Sequence, residues 1–412
     1  MGTTRTFQDM LNEYLPNELL KEEFVKRDYL LTKIEKDNSW LGGNLVVPFK
    51  ASGASSVAFG SLTASNDIAE DKFVRGGVSG HKEVWGSLIF NHRDLMEHEQ
   101  VSEQNFLKIL PGTVEDFMDY MKNVVSVNLL NGEHFAKGTA NGDAAGNLEV
   151  DRPDRFLINQ KVIVDTGAVA PVTGYVKSIN MNTRIVNLVT ARGGAIPVDL
   201  STYLLADVIK CYNDGAQANS FSSLRGALLS AANGGDASLY GVTKTLYPYL
   251  QAINVSGAGI TAANIMEKLF DSLTTVRQFG KGNPSDFVMS YKNLAACMKR
   301  IEASKGAFNV VPNSQRASQY GWTEIEVGSV TKGAIKLVGV QEADDDVIML
   351  LDWRALKFYS NGFFKKRRSP DGIEYHETRA TTGYQYIVDM CLFGELIVQR
   401  PSYCGIIHSI SF

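Results

Sequence analysis

Two rhythms of apolar residues divide the chain, one repeating every three to four positions and the other alternating with polar residues. Over residues 7–36, Leu11, Tyr14, Leu15, Leu19, Leu20, Phe24, Leu30, Leu31 and Ile34 keep a broadly helical spacing, broken at Pro16, which suits the first turn of a second helix. An amphipathic N-terminal arm is expected. Residues 41–90 lose that density, with Gly, Ser and Ala dominant and the apolar patches short and alternating. Leu45, Val47 and Phe49 read as an outgoing strand and Val84, Gly86, Leu88 and Phe90 as the returning one, with residues 51–66 at the tip. A two-stranded ribbon alone is marginal in water, and long structureless loops inside compact domains are uncommon. The ribbon is therefore expected to clasp another molecule, with Val57, Phe59 and Leu62 making intersubunit contact. A plain linker is the alternative.

Beyond the ribbon, Thr113 is placed to cap a helix reaching about Asn131, with Val114, Phe117, Met118, Met121, Val124 and Val125 on one side and Glu115, Asp116, Asp119 and Lys122 on the other. A helix that long with one apolar stripe is expected to lie across a sheet. Residues 132–147 are rich in Gly, Ala and Asn, and residues 156–209 then change texture, with short alternating runs around Val162, Val164, Tyr175, Ile179 and Ile185 separated by turns. They predict a small inserted β-barrel or sandwich. From Asn213 the helical rhythm returns at Leu224, Leu228 and Leu229, and again at Ile265, Met266, Leu269, Phe270, Leu273 and Val276 behind a cap at Thr261. With a buried strand at residues 286–290 and a helix at 291–303, this part reads as α/β. Strands are expected at 335–340, 347–351, 355–360, 373–378, 384–398 and 403–411, and there is no internal repeat.

At 412 residues, 44% hydrophobic and 21% charged, the chain is long enough for two or three domains and falls outside the disordered and fibrous classes. A net charge of -4 leaves no global basic field to draw it onto nucleic acid or an anionic membrane, so a DNA partner is expected to be weakly held. Cys211, Cys297, Cys391 and Cys404 are far apart with no CxxC pair, which points to reduced core residues in an intracellular compartment. Residues 1–11 lack the order of a signal peptide, no run matches a membrane span, and the retained Met1 suggests that no prosegment has been removed.

Four motifs carry candidate chemistry. Ser256 to Ala262 fits a GxGxxA fingerprint, with Gly257 and Gly259 as its glycines, so a nucleotide-dependent oxidoreductase is one reading; a loop leading to a helix cap is the other. His92 and His98 stand among Asp94, Glu97 and Glu99, but a separation of six puts the histidines on different helix faces, and a solvated acidic turn is favoured over a metal site. Glu342, Asp344, Asp345 and Asp346 lack the spacing of a calcium loop and read as a charged hairpin tip or a contact for a neighbour. Lys365, Lys366, Arg367 and Arg368 read as a contact for phosphate or acidic groups on another subunit, or as a solvated turn. No nucleophile with a base, no metal and no cofactor is indicated, and a non-enzymatic role is expected.

The order of parts resembles the major capsid proteins of tailed double-stranded DNA phages, the Hong Kong 97-like fold, here α+β with an inserted β-barrel. The stretches that carry the likeness run from Ser223 to Ala227, Gly241 to Lys244 with Pro248, Gly333 to Val338, Asp344 to Asp352 and Leu356 to Phe358. The resemblance implies an N-terminal arm at 1–40, an extended loop at 41–90, a peripheral domain with its spine helix at 91–149, the barrel at 150–212, an axial domain at 213–340, and peripheral strands with a C-terminal return at 341–412. It further implies pentamers and hexamers of one chain forming an icosahedral shell, in a virion assembled in the host cytoplasm. Packaged DNA, a scaffold, a portal and decoration proteins are the implied partners, with no membrane. Some relatives bond a loop lysine to another subunit; Lys50, Lys72 and Lys82 would be the candidates, though noncovalent overlap is expected. An encapsulin-like compartment is the alternative within the same fold.

Overall fold

The computed structural model describes residues 24–25, 28–40, 43–50, 73–78, 80, 82–91, 103–140, 145–167, 169–203, 208–217, 219–303, 310–312, 324–327, 335–360, 364–380 and 383–411. Contacts divide the chain into one unit of residues 1–122 and 224–412 and a second of residues 123–223.

The first unit opens with α1 (Tyr29–Lys33), β1 (Glu35–Asp37), β2 (Leu45–Lys50), β3 (Phe73–Val78), β4 (Lys82–Asn91) and α2 (Glu103–Asn131), a helix that runs on into the second unit. The second unit holds β5 (His134–Ala140), β6 (Asn147–Val150), β7 (Lys161–Asp165), β8 (Val172–Asn180), β9 (Ile185–Val189) and β10 (Ile209–Asn213). The first unit then resumes with α3 (Leu224–Leu228), β11 (Ser238–Leu239), β12 (Val242–Thr243), β13 (Ile253–Ser256), α4 (Ile265–Thr275), β14 (Asp286–Met289) and α5 (Tyr291–Ala303). It ends with β15 (Val310–Pro312), β16 (Glu324–Val327), β17 (Ile335–Gly339), β18 (Val347–Leu351), β19 (Leu356–Tyr359), β20 (Phe364–Lys366), β21 (His376–Ala380), β22 (Gly383–Val398) and β23 (Gly405–His408).

Two sheets organise the first unit. β22 is the axis of a six-stranded sheet: β4 pairs along one flank, β21, β20 and β19 follow one another along the other, and β1 adds in parallel to β19. The helix α2 lies on this sheet at Gly86, where an added Cβ would stand 2.6 Å from Met121 Sδ and 2.7 Å from the Phe117 ring. A glycine at that point lets the helix approach the strand. The seven-stranded sheet runs β13-β23-β18-β14-β17-β16-β15. Every residue of β14 and β18 is buried, as expected of central strands covered on both faces. Ile265, Met266, Leu269 and Leu273 of α4 and Leu294 and Cys297 of α5 share one core with Phe287, Ile348, Leu350 and Ile407 of this sheet.

The second unit is a closed barrel in the order β10-β5-β6-β9-β8-β7. Its inward residues include Leu148, Val162, Val164, Val176, Val186, Leu188, Ile209 and Cys211, alternating with outward positions as a small barrel requires. Tyr203 fills the interior and donates its hydroxyl to the carbonyls of Val164 and Ala170, at 3.2 and 3.1 Å.

Several expectations are corrected. The strand returning beside β2 is β3, in register Leu45↔Val78 to Lys50↔Phe73, whereas residues 82–91 enter the body as the partner of β22. The long helix starts at Glu103 and continues through Pro111, so position 113 lies in its interior and not at its N-terminus; a proline removes one amide donor from a helix already running. Residues 134–140 and 147–150, expected before the barrel, supply two of its strands. A boundary at 340 falls between β17 and β18, which belong to one sheet on either side of β14. The strand expected at 373–378 lies at His376–Ala380. Part of the arm is body: β1 pairs with β19, and Tyr29 donates to Asp286 Oδ1 at 3.1 Å and meets Trp353 edge to face.

Candidate assembly surfaces

The base of the ribbon is anchored on a two-residue turn. Tyr240 and Gly241 join β11 to β12 at φ of 49° and 81°, the left-handed pair that such a turn demands. This geometry presents the Tyr240 ring to Phe49, stacked with centroids 5.8 Å apart, and its carbonyl to the Gly77 amide at 3.0 Å. The Tyr240 hydroxyl donates to the Leu396 carbonyl at 2.7 Å and accepts from the Val398 amide at 3.0 Å. Pairing between β4 and β22 ends at Gly394, so one side chain both seats the ribbon and covers the edge of β22 where β4 stops. Lys50 adds a cation over the Tyr249 ring, 5.1 Å from its centroid. On the inner side Val47, Phe49 and Val78 are buried; on the outer side Val46 is 58% and Phe73 64% exposed. An expectation that the whole ribbon lies on another molecule is corrected at its base, which packs on its own subunit.

A second surface is the outer face of the six-stranded sheet. β4 alternates Val84, Gly86, Leu88 and Phe90 with Glu83, Trp85, Ser87 and Ile89. The first set includes Gly86 against α2. On the other face Trp85 is 48% and Ile89 50% exposed, with Trp85 meeting Phe393 edge to face at 5.7 Å. Asp389 is the polar centre of this face, accepting from Ser87 Oγ at 2.6 Å and standing 3.5 Å from Arg367 Nη1 and 3.6 Å from His376 Nδ1.

The basic run divides by strand alternation. Lys365 and Arg367 are exposed, as is Arg368, whose Nε donates to the Gly372 carbonyl at 3.2 Å. Lys366 has the opposite sense, is buried, and pairs with the buried carboxylate of Glu374. It therefore serves its own chain, and the expectation that it contacts a neighbour is corrected. Val57, Phe59 and Leu62 lie outside the described residues, as do Lys72, His92 and His98. Nothing in the sequence singled out Tyr240. Trp85 and Ile89 had a signal: they occupy the otherwise polar phase of the β4 alternation.

The remaining motifs resolve into packing. The acidic stretch is a crossover between β17 and β18, which flank β14, and is not a hairpin tip. Its Glu342 meets Lys122 at 2.9 Å, and Arg225 reaches Asp344 at 3.0 Å and Asp346 at 2.6 Å. The GxGxxA stretch does follow a strand and precede a helix, but a Cβ at Gly257 would stand 2.6 Å from the His408 carbonyl and 2.7 Å from Ile410. That glycine admits the neighbouring strand β23, while Gly259 has a φ of 83° and turns the chain. Thr261 does not cap: the N-cap is Asn264, whose side chain accepts from the Thr261 amide at 2.7 Å. All four cysteines are free and buried, and burial pushes the thiols of Cys297, Cys391 and Cys404 up to about 12. Among the described residues no group of three or more His, Cys, Asp or Glu is placed to hold a metal, and no helix is long and apolar enough to cross a membrane.

No protein-family model and no curated protein matches the chain. Solved structures do. It is similar to the capsid asymmetric unit of cyanophage A-1(L), at 11% identity and a TM-score of 0.48 over 100% of this chain and 96% of that one. It is similar to the capsid of a native GTA particle, at 9% identity and a TM-score of 0.43 over 100% and 93% of the two chains. It is also similar to the holo-SrpI encapsulin complex of Synechococcus elongatus, at 10% identity and a TM-score of 0.37 over 100% and 93%.

Proposed function

We propose that this chain is a major capsid protein, a non-enzymatic subunit that assembles as pentamers and hexamers into an icosahedral shell around packaged double-stranded DNA. The observation that carries the reading is the ribbon: Tyr240 fixes its base while Val46 and Phe73 on its outer side stay open to solvent. Apolar surface held out from a packed body is the form that a contact with another copy takes. Trp85 and Ile89 on the six-stranded sheet present a second such surface, with Lys365 and Arg367 exposed on strand positions of the same face. Contacts of this kind are heterologous, and many modest ones closing on each other give a stable particle.

In this reading the tip residues Val57, Phe59 and Leu62 reach the adjacent subunit without a covalent bond, and DNA is held by weak contact because the net charge is -4. A scaffold, a portal and decoration proteins complete the assembly in the host cytoplasm. Deleting residues 51–66 tests the reading: a folded, soluble chain that no longer sediments as particles is expected. Normal particles from that deletion would contradict the clasp. An encapsulin-like shell is separated by the absorbance of purified native particles, because a strong nucleic-acid signal is expected only of a genome container.

A further inference from the structure

The end of the six-stranded sheet where β19 meets β22 gathers positive charge from three segments. The register of that pair, Leu356↔Val398, continues one step to the Gln399 amide, which donates to the Ala355 carbonyl at 2.8 Å. One step further Arg354 and Arg400 come opposite each other, the first inside the 3-10 turn Trp353–Ala355 and the second at the cap of the turn Pro401–Tyr403. A third segment joins them. Gly282 lies so close to Tyr403 that an added Cβ would stand 2.2 Å from its carbonyl oxygen, and the Asn283 amide donates to Asp352 Oδ2 at 3.1 Å. Lys281 immediately precedes that contact and is exposed.

These side chains are set for an acceptor from outside. Arg354 donates Nε and Nη2 to the buried Asp352 carboxylate at 2.9 and 2.7 Å, which fixes the guanidinium while its side chain stays 72% exposed and Nη1 is left over. Arg400 Nη1 donates to the Tyr403 hydroxyl at 2.9 Å, with its Cζ 5.2 Å from the centre of that ring. The hydroxyl thereby keeps its own proton for another acceptor. Among the described residues no carboxylate pairs with Lys281 or Arg400. Asp352 cancels one of the three charges, leaving two, and nearby Lys357 is neutralised by Glu35 at 3.0 Å. Exposed cations in surplus over their own chain's carboxylates are the footprint of an anionic partner.

We propose that Lys281, Arg354, Arg400 and the Tyr403 hydroxyl bind the phosphodiester backbone of duplex DNA without reading its sequence. The inference rests on the shell reading, to which it adds the place where the packaged genome is touched. Guanidinium forks suit phosphate and carboxylate alike. The aromatic neighbour decides between them. Phe279, 68% exposed, stands on the π turn Val276–Gly280, where an added Cβ at Gly280 would meet the Ser402 carbonyl. Sugars and bases offer such a ring faces that an acidic peptide lacks. Contacts to phosphate alone fix position and carry no sequence preference. With a net charge of -4 over the whole chain, the attraction is local and sensitive to salt.

Anisotropy of a fluorescein-labelled duplex, titrated with unassembled full-length subunits between about 50 and 200 mM salt, tests the site. Three phosphate contacts give a logarithmic slope of about -2.7, so the wild-type association constant is expected to fall about fortyfold over that range. Lys281→Gln combined with Arg400→Gln leaves the pair of Arg354 and Asp352 intact, and its fall is expected to shrink to about fourfold, with weaker binding at low salt. Lys268→Gln combined with Lys299→Gln removes the same charge from exposed positions on α4 and α5 and is expected to match the wild type. No binding by the wild type, an unchanged slope in the first variant, or an equal change in the second would overturn the proposal. Polyglutamate that displaces the probe as well as unlabelled duplex does would also overturn it, by marking a protein contact. Electron microscopy keeps the two readings apart: the first variant is expected to form normal shells, and shells lost in it alone would show an assembly contact instead. A wild type that forms no shells would remove the shell reading and leave the binding result standing.

Discussion

At the scale of single residues, Tyr240 does the most work for its size. Its hydroxyl pairs the Leu396 carbonyl and the Val398 amide, while its ring supports Phe49. Tyr240→Phe keeps the stack and strips both backbone groups of that partner, so a loss of about 1–3 kcal/mol in urea unfolding is expected. An unchanged midpoint would remove the residue from its role. Lys366 and Arg367 make a sharper comparison, being neighbours with opposite fates. Lys366→Ala leaves the Glu374 carboxylate buried without that ammonium and is expected to cost about 3–5 kcal/mol. Arg367→Ala removes an exposed group and is expected to stay within about 0.5 kcal/mol in the isolated subunit, its effect appearing in particle yield. Gly257→Ala drives a Cβ toward the His408 carbonyl and is expected to cost about 1–3 kcal/mol. Calorimetric titration of the wild-type chain with a nicotinamide dinucleotide is expected to give no heat; binding there would restore the oxidoreductase reading.

At the scale of elements, rhythm identified what lies within one segment and failed where a partner comes from far along the chain. The repeat from Ile265 to Leu273 is helical as read, and residues 347–351 are a strand as read. Residues 84–90 were legible as a strand, but their partner lies at 386–392, and an alternating pattern carries no address. β3, with Gly76 and Gly77 at its centre, looks like loop on composition, yet Gly76 is required because a Cβ there would stand 2.5 Å from the Phe49 ring. The acidic crossover resembled a tip for the same reason that its partners are invisible locally: Lys122 and Arg225 lie more than a hundred residues away in sequence, and only the fold brings them to Glu342, Asp344 and Asp346. The barrel was legible by texture but not by its limits, because the sequence between β5 and β6 is rich in Gly, Ala and Asn and masks them. Its closed topology and own core make residues 123–223 an independent folding candidate. Expressed alone, they are expected to melt in one cooperative transition with a β-type far-ultraviolet spectrum; a featureless melt would contradict autonomy.

At the scale of the whole molecule, the described residues bury extensive apolar cores while leaving Val46 and Phe73 at the ribbon and Trp85 and Ile89 on the outer sheet face exposed. The two sheets and the barrel each bury apolar residues within one chain, so folding is expected to precede assembly as a separate, concentration-dependent step. With so modest a net charge, the proposed assembly is expected to draw on local contacts such as Lys365, Arg367 and Arg368. The central claim is that copies of this chain close into a shell. Electron microscopy of the purified protein at high concentration tests it most directly: closed, thin-walled particles of uniform diameter are expected, and a population that remains as single compact subunits at every concentration would contradict it.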